Sequence, residues 1–222
     1  MRWFVTAPMF AAFVLPLPAS AQQPRVHDGV HVRAAFGAGY GADSATREGD
    51  VGETEGTVGG VALSGELSAG YALFPGGLLG AGFYFNHVPS PKARDIVWRQ
   101  GLGTIEIDEI EFDHGGYWML GPMFDYYPIP SGGLHASLAV GWGVFGLGDG
   151  ELDTGWRVDT DQKGGGLSGA VGVGYDFWVA SGVSIGVLGR FMVARGTAED
   201  DENADWTHTV YSPALLFSAS LD

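Results

Sequence analysis

Eight stretches of the chain alternate between apolar residues and small or polar residues with the period of two that a β-strand produces. Taken at every second residue, one face of each stretch carries no charged side chain. This sorting is typical of a closed barrel with hydrocarbon outside and a polar lumen inside. It predicts an all-β fold, an eight-stranded antiparallel up-and-down transmembrane barrel, with strands over residues 30–40, 61–74, 78–86, 117–126, 134–146, 167–179, 183–194 and 207–217.

Every charged residue inside these strands falls on the other, inward face: Arg33, Glu66, Asp125, Asp176 and Arg190. Eight strands enclose a space just wide enough for side chains, and unpaired buried charges are costly. We therefore expect a lumen charge network that plugs the barrel. Residue counts along the strands predict a Glu66–Arg190 pair at mid-height, with Arg33 reaching toward the lower carboxylates. A gate that gives a narrow ion conductance is the alternative.

The connections between the strands alternate in length. Three are short (75–77, 127–133 and 180–182) and four are long (41–60, 87–116, 147–166 and 195–206). Outer-membrane barrels have short periplasmic turns and long outer loops, so an even strand number predicts that both termini are periplasmic. Within 87–116, a further alternation predicts a hairpin that extends the barrel wall.

The first 21 residues have the pattern of a secretory signal. Arg2 is followed by an apolar run to Leu17 and by the small residues Ala19, Ser20 and Ala21. We therefore predict a signal peptide at 1–21 and a single outer-membrane barrel domain at 22–222.

The formal net charge of −15 excludes a basic surface for nucleic acid. Of the 26 acidic residues, 21 lie in the four long connections, so the predicted surface loops are acidic. No cofactor is expected beyond loose Ca²⁺ or Mg²⁺ binding, for which the weak candidates are Asp149, Glu151, Asp153, Glu199, Asp200, Asp201 and Glu202. The chain has no cysteine, which excludes disulfides and thiol chemistry.

Enzymatic chemistry has little support in the sequence. His31, His135 and His208 are predicted to point inward with Ser137 and Ser212, yet nothing in their spacing requires a nucleophile–base–acid system. His87, near the outer rim, has no obvious nucleophile beside it. We predict no catalytic residue.

With its signal segment, its eight alternating strands and the aromatic-rich pieces 174–178 and 189–191, the chain resembles small outer-membrane barrels of the OmpA/OmpX type from Gram-negative bacteria. The resemblance implies a monomer in the outer membrane, in contact with its lipid and lipopolysaccharide, with a non-enzymatic structural or surface-interaction role. One departure is the final Leu221-Asp222, since such barrels usually end in an aromatic residue that the assembly machinery reads.

Two other functions remain open. Some eight-stranded outer-membrane barrels modify lipids as lipid A deacylases or acyltransferases. A soluble periplasmic ligand-binding barrel of the lipocalin type should instead have an apolar interior and face water outside, the inverse of the sorting seen here.

Overall fold

The structure is a computed structural model that describes residues 26–27, 29–49, 52–100, 103–152, 157–158, 162–199 and 205–222. The predicted signal peptide lies outside these residues. No helix in the described part of the chain is long and apolar enough to cross a membrane. The strands, in chain order, are β1 (Val30–Gly49), β2 (Gly52–Phe74), β3 (Gly77–Val88), β4 (Lys92–Gln100), β5 (Gly103–Phe112), β6 (Gly115–Tyr126), β7 (Leu134–Leu147), β8 (Gly150–Leu152), β9 (Arg157–Val158), β10 (Gln162–Ala180), β11 (Val183–Glu199) and β12 (Asp205–Leu221).

Eight of these strands form a closed ring. Their order is β1-β12-β11-β10-β7-β6-β3-β2, and β2 pairs again with β1 to close it. Every neighbouring pair in the ring is antiparallel. The ring strands are the eight that the alternation predicts, so the predicted fold class is confirmed. We call the end with the short turns the turn end and the opposite end the loop end.

The ring strands are longer than the sequence pattern predicts. The β1–β2 register runs from Val30 opposite Tyr71 to Gly49 opposite Gly52, through residues expected to form a long connection. β10 and β11 lengthen toward the loop end in the same way, whereas β12 gains more residues at the turn end. Paired strands that meet water on both faces keep their backbone hydrogen bonds but need no apolar alternation. The ladder therefore continues where the pattern stops.

The hairpin predicted within 87–116 is present as β4 and β5. β4 pairs with the loop-end part of β2, and β5 continues to β8 and β9, so this side of the wall is taller. Lys92 Nζ donates to Glu109 Oε1 at 2.6 Å, and Arg94 Nε donates to Glu109 Oε2 at 3.3 Å. These charge pairs stabilise the more exposed face of the hairpin, whose other face packs through Ala93, Ile110 and Phe112.

The ring's outer face is apolar and exposed. Val61, Leu167 and Phe217 are 74%, 68% and 71% exposed, and large apolar residues occupy outward positions on all eight strands. The inward positions hold small, polar or charged residues together with methionines and buried apolar side chains such as Leu78, Leu188 and Leu216. Two prolines interrupt the hydrogen bonding of this wall. Pro122 has no partner in the β6–β7 ladder and Pro213 has none in the β1–β12 ladder, because proline lacks the N–H group.

Two aromatic residues that fit a membrane-interface belt by position are instead inside. Phe145 has odd parity in β7, points into the lumen and is 5% exposed. Tyr127, just after β6, is fully buried at the turn end. Both residues are odd-numbered, as are the inward positions of β6 and β7, so the alternation rather than the height in the barrel assigns their face.

Candidate functional site in the barrel lumen

The middle of the lumen contains a three-membered ion-pair centre. Arg33 Nη2 lies 2.7 Å from Glu66 Oε1, and Arg33 Nη1 lies 2.7 Å from Asp125 Oδ2. Arg33 Nε also donates to Glu66 Oε1 at 2.8 Å. Arg33 and Asp125 are fully buried. The strand positions explain the arrangement: Glu66 stands opposite Ala35 on the neighbouring strand, so the long arginine side chain spans from β2 to β6.

Arg190 lies toward the loop end of this centre. Its Nη1 donates to the carbonyl oxygen of Gly65 at 2.8 Å and lies 3.6 Å from Glu66 Oε2. Its guanidinium also lies 5.7 Å from the centroid of the Tyr84 ring. Glu66 is therefore shared by two guanidinium groups, and Arg33 makes the shorter contacts.

Asp176 lies apart from the arginines, nearer the turn end. It accepts hydrogen bonds from Tyr127 Oη at 2.9 Å and from Ser218 Oγ at 3.2 Å, and its Oδ2 is 3.3 Å from His135 Nδ1. His135 Nε2 lies 3.4 Å from Arg33 Nη1. The imidazole therefore connects Asp176 to the Arg33 centre, and all five predicted lumen charges belong to one contiguous set.

A further polar group, which the sequence pattern does not predict, closes the turn end. His27 Nδ1 and His31 Nδ1 lie 2.8 and 2.9 Å from the same oxygen, Asp222 Oδ1. Both histidines are fully buried. We call His27, His31 and Asp222 the mouth cluster. Only His31 lies in a predicted strand, and the sequence offers no signal that joins residues 191 to 195 positions apart.

Packing and charge fix the mouth cluster. The His27 ring stacks on Tyr127 with centroids 3.7 Å apart and lies 4.9 Å from Trp178. Burial raises the pKa of the Asp222 carboxyl, but hydrogen bonds from the two histidines outweigh it and lower that pKa to about 2. Burial and the neighbouring Asp176 carboxylate raise the pKa of the Tyr127 phenol, which keeps it a hydrogen-bond donor.

The loop end of the lumen is different in character. Tyr117, Met119, Phe145 and Val210 belong to its buried apolar cluster, which extends from Tyr84 and Met192 toward the rim. One polar contact lies beside it: His208 Nδ1 is 2.8 Å from Asp43 Oδ2, and the ring packs 4.7 Å from Phe145. A cavity of about 50 Å³, bordered by both Asp43 and Phe145, opens here.

Most of the weak metal candidates cannot be placed. Asp153 and the run Asp200, Asp201 and Glu202 lie outside the described residues, and the side chains of Glu151 and Glu199 are not described. Asp149 is exposed, and its carbonyl oxygen accepts from the Asp113 amide at 2.9 Å.

The inward histidines are separated along the lumen, and each contacts a different carboxylate: Asp222 for His31, Asp176 for His135 and Asp43 for His208. Within the described residues, no serine hydroxyl is hydrogen-bonded to any of these rings. His87 is exposed on β3. Among the described residues, these inward histidines are therefore not paired with a serine nucleophile.

No protein-family model and no curated protein matches the chain. Among solved structures, it is similar to the outer membrane protein OprG from Pseudomonas aeruginosa, with 12% identity, coverage of 88% of this chain and 97% of that chain, and a TM-score of 0.46. It is also similar to Neisserial surface protein A, with 14% identity, coverage of 87% and 97%, and a TM-score of 0.45. The outer membrane protease OmpT from Escherichia coli gives 12% identity, coverage of 88% and 97%, and a TM-score of 0.43. These likenesses identify no activity for this chain.

Proposed function

We propose that this chain is an integral outer-membrane barrel whose lumen is closed by its own side chains. Its role is non-enzymatic: envelope structure or surface interaction. The observation that carries the proposal is the opposition between the ring's two faces. Large apolar side chains are exposed outside, whereas Arg33, Asp125 and the two histidines of the mouth cluster are buried inside. Hydrocarbon is the solvent in which such an outer face is stable.

The same opposition disfavours a soluble ligand-binding barrel. A barrel in water would expose charged residues around its wall, whereas the outward positions of the eight ring strands predicted from sequence carry none. The interior of such a barrel would also be apolar. Here the middle and the turn end of the interior contain buried arginines, carboxylates and histidines.

The closed lumen favours a plug over a conducting path. Arg33 spans the lumen between Glu66 and Asp125, while Arg190 binds wall carbonyls above it. Ion pairs of this kind resist opening because separation leaves buried charges unpaired. The separated histidines likewise favour a non-enzymatic role over lipid A deacylation or acyl transfer.

Surface interaction would take place at the loop end. There the tall β4–β5 hairpin and the acidic connections rise above the ring, with Lys92 and Arg94 bordering an outer recess beside Tyr40. This mixture of basic residues, an aromatic ring and acidic residues suits the phosphorylated head groups of lipopolysaccharide and the divalent cations between them. We further propose a monomer with both termini in the periplasm.

A pair of arginine substitutions tests the membrane proposal. Leu67 lies on the outer face between Ala34 and Phe83, whereas Thr104 is exposed on the β5 hairpin. Leu67→Arg should lower the free energy of unfolding in lipid vesicles by about 2–4 kcal/mol, and Thr104→Arg should have no measurable effect.

The wild-type chain should fractionate with outer membranes and show heat-modifiable mobility after detergent extraction. Recovery in the soluble periplasm, or equal effects of the two arginine substitutions, would contradict the proposal. A change in lipid A mass on expression would instead support the enzyme.

A further inference from the structure

The mouth cluster has the composition of a transition-metal site. It contributes two imidazole nitrogens and one carboxylate, and one potential ligand atom from each residue lies within 4.8 Å of the others. Imidazole suits Zn²⁺, Cu²⁺ and Ni²⁺, whereas Ca²⁺ and Mg²⁺ require oxygen ligands. The donor set therefore favours a borderline divalent metal ion.

The backbone holds these ligands in place independently of one another. The His27 amide donates to the carbonyl oxygen of Pro130 at 3.1 Å, and the His27 carbonyl oxygen accepts from Gly76 at 3.2 Å. The Asp222 amide donates to the carbonyl oxygen of Gly182 at 3.0 Å. Each of the three short turns thus anchors a ligand residue, and His31 is fixed by the β1 ladder. A site preorganised by its scaffold loses little entropy on binding.

The hydrogen bonds within the mouth cluster leave some of its nitrogen and oxygen atoms without a partner. Both Nδ1 atoms point at one carboxylate oxygen, while Asp222 Oδ2, His27 Nε2 and His31 Nε2 are buried and have no hydrogen-bond partner in the described part of the chain. The Asp222 side chain is itself 6% exposed. Buried polar atoms without partners are uncommon, and here three of them belong to one cluster.

Little movement is needed to accommodate an ion. Around a tetrahedral Zn²⁺ with bonds of about 2.0–2.1 Å, neighbouring ligand atoms are about 3.3 Å apart. The present Nδ1–Oδ1 separations are 2.8 and 2.9 Å, so an opening of about 0.4–0.5 Å per contact suffices. Rotation about side-chain bonds supplies this without moving the backbone.

We propose that His27, His31 and Asp222 bind one divalent transition-metal ion of the Zn²⁺ class at the turn end. The ion ties His27, just before β1, and His31, within β1, to Asp222, which follows β12. Since β1 and β12 are the first and last ring strands and pair with each other, the ion fastens the seam at which the chain closes on itself. Stacking of His27 on Tyr127 shields one side of the site from water.

The test is isothermal titration of the folded barrel in detergent micelles with Zn²⁺. We expect one high-affinity site per chain, and either His27→Gln or His31→Gln should weaken it by tenfold or more. His87→Gln and His114→Gln are matched controls, since both rings are exposed outside the cluster, and they should leave it unchanged. Binding to the acidic loops would be weaker and equally present in all four variants.

A second readout is the melting temperature of the barrel, measured through its heat-modifiable gel mobility. Zn²⁺ should raise it for the wild type and both controls but not for His27→Gln or His31→Gln, and Mg²⁺ should not replace Zn²⁺. The proposal is overturned if Zn²⁺ gives no high-affinity site, or if that site survives both cluster substitutions. A lower melting temperature for His27→Gln without any Zn²⁺ effect would identify a hydrogen-bonded clasp instead.

Discussion

The middle and turn end of the lumen are held by charges, whereas the loop end is held by apolar packing. Toward the turn end, Arg33, three carboxylates and three histidines form contacts of 2.7–3.4 Å, and none of these residues is exposed. Toward the loop end, methionines and aromatic rings surround a small cavity, with Asp43 and His208 as a polar contact at the edge. The difference shows that one barrel wall can enclose two kinds of core. Specific pairing closes one half, and ordinary side-chain packing fills the other.

The largest effect is expected from the ion-pair centre. Arg33→Met leaves Glu66 and Asp125 buried without their shared cation, so the free energy of unfolding in vesicles should fall by about 3–5 kcal/mol. Urea titration followed by tryptophan fluorescence measures it.

Arg94→Met is the matched control, because Arg94 pairs with Glu109 on an exposed hairpin, and it should be indistinguishable from wild type. Arg33→Lys retains a charge but cannot contact two carboxylates in the same way. Its free energy of unfolding should lie between those of the wild type and Arg33→Met. Wild-type stability of Arg33→Met would show that the charges do not hold this half of the lumen.

A smaller loss is expected from Arg190, which donates to wall carbonyls and lies farther from Glu66. Arg190→Ala should lower the free energy of unfolding by about 1.5–3 kcal/mol, the range for hydrogen bonds to a charged group.

Planar-bilayer recordings on the same variant separate a plug from a gate. A plug predicts a closed wild type and a less stable variant. An unchanged melting temperature combined with altered conductance would instead favour the gate.

At the loop end, the charge of Asp43 should contribute less to the free energy of unfolding. Asp43→Asn keeps an acceptor for His208 beside the cavity, so the expected loss is about 0.5–1.5 kcal/mol by urea titration. Asp125→Asn, the same substitution inside the ion-pair centre, should cost more. Equal losses for the two variants would remove the distinction between the two halves.

The smallest effect concerns the exposed β4–β5 hairpin. The hydrogen bond from Lys92 lowers the pKa of Glu109 from its ordinary value of 4.5. A lowered carboxyl pKa contributes stability that is present above the ordinary value and lost as the pH falls through the folded one. Amide-exchange protection of β4 should therefore decline as the pH falls below about 4.5, relative to Glu109→Gln. Parallel pH profiles for the two proteins would contradict this assignment.

The sequence predicts much of the barrel wall because the alternation that marks a wall strand lies within each strand. Parity along each strand decides which side chains face out, and so the eight ring strands and the inward direction of Arg33, Glu66 and Arg190 follow from counting. The alternation also gives the inward direction of Tyr127 just beyond β6, but it is absent where both faces are solvated, as in the loop-end part of β1 and β2.

The alternation along each strand does not predict which side chains pair inside the lumen. Neighbours there are fixed by strand tilt and by the stagger of the closed ring, which no single strand encodes. Arg33 therefore reaches Glu66 more closely than Arg190 does, and His27 meets Asp222 across almost the whole chain. By itself, the sequence determined a barrel and the environment of its outer face, because a period of two is a property of each strand alone. The tertiary structure decided which buried charges meet and that two histidines and a carboxylate converge at the turn end, because those contacts exist only once the ring has closed.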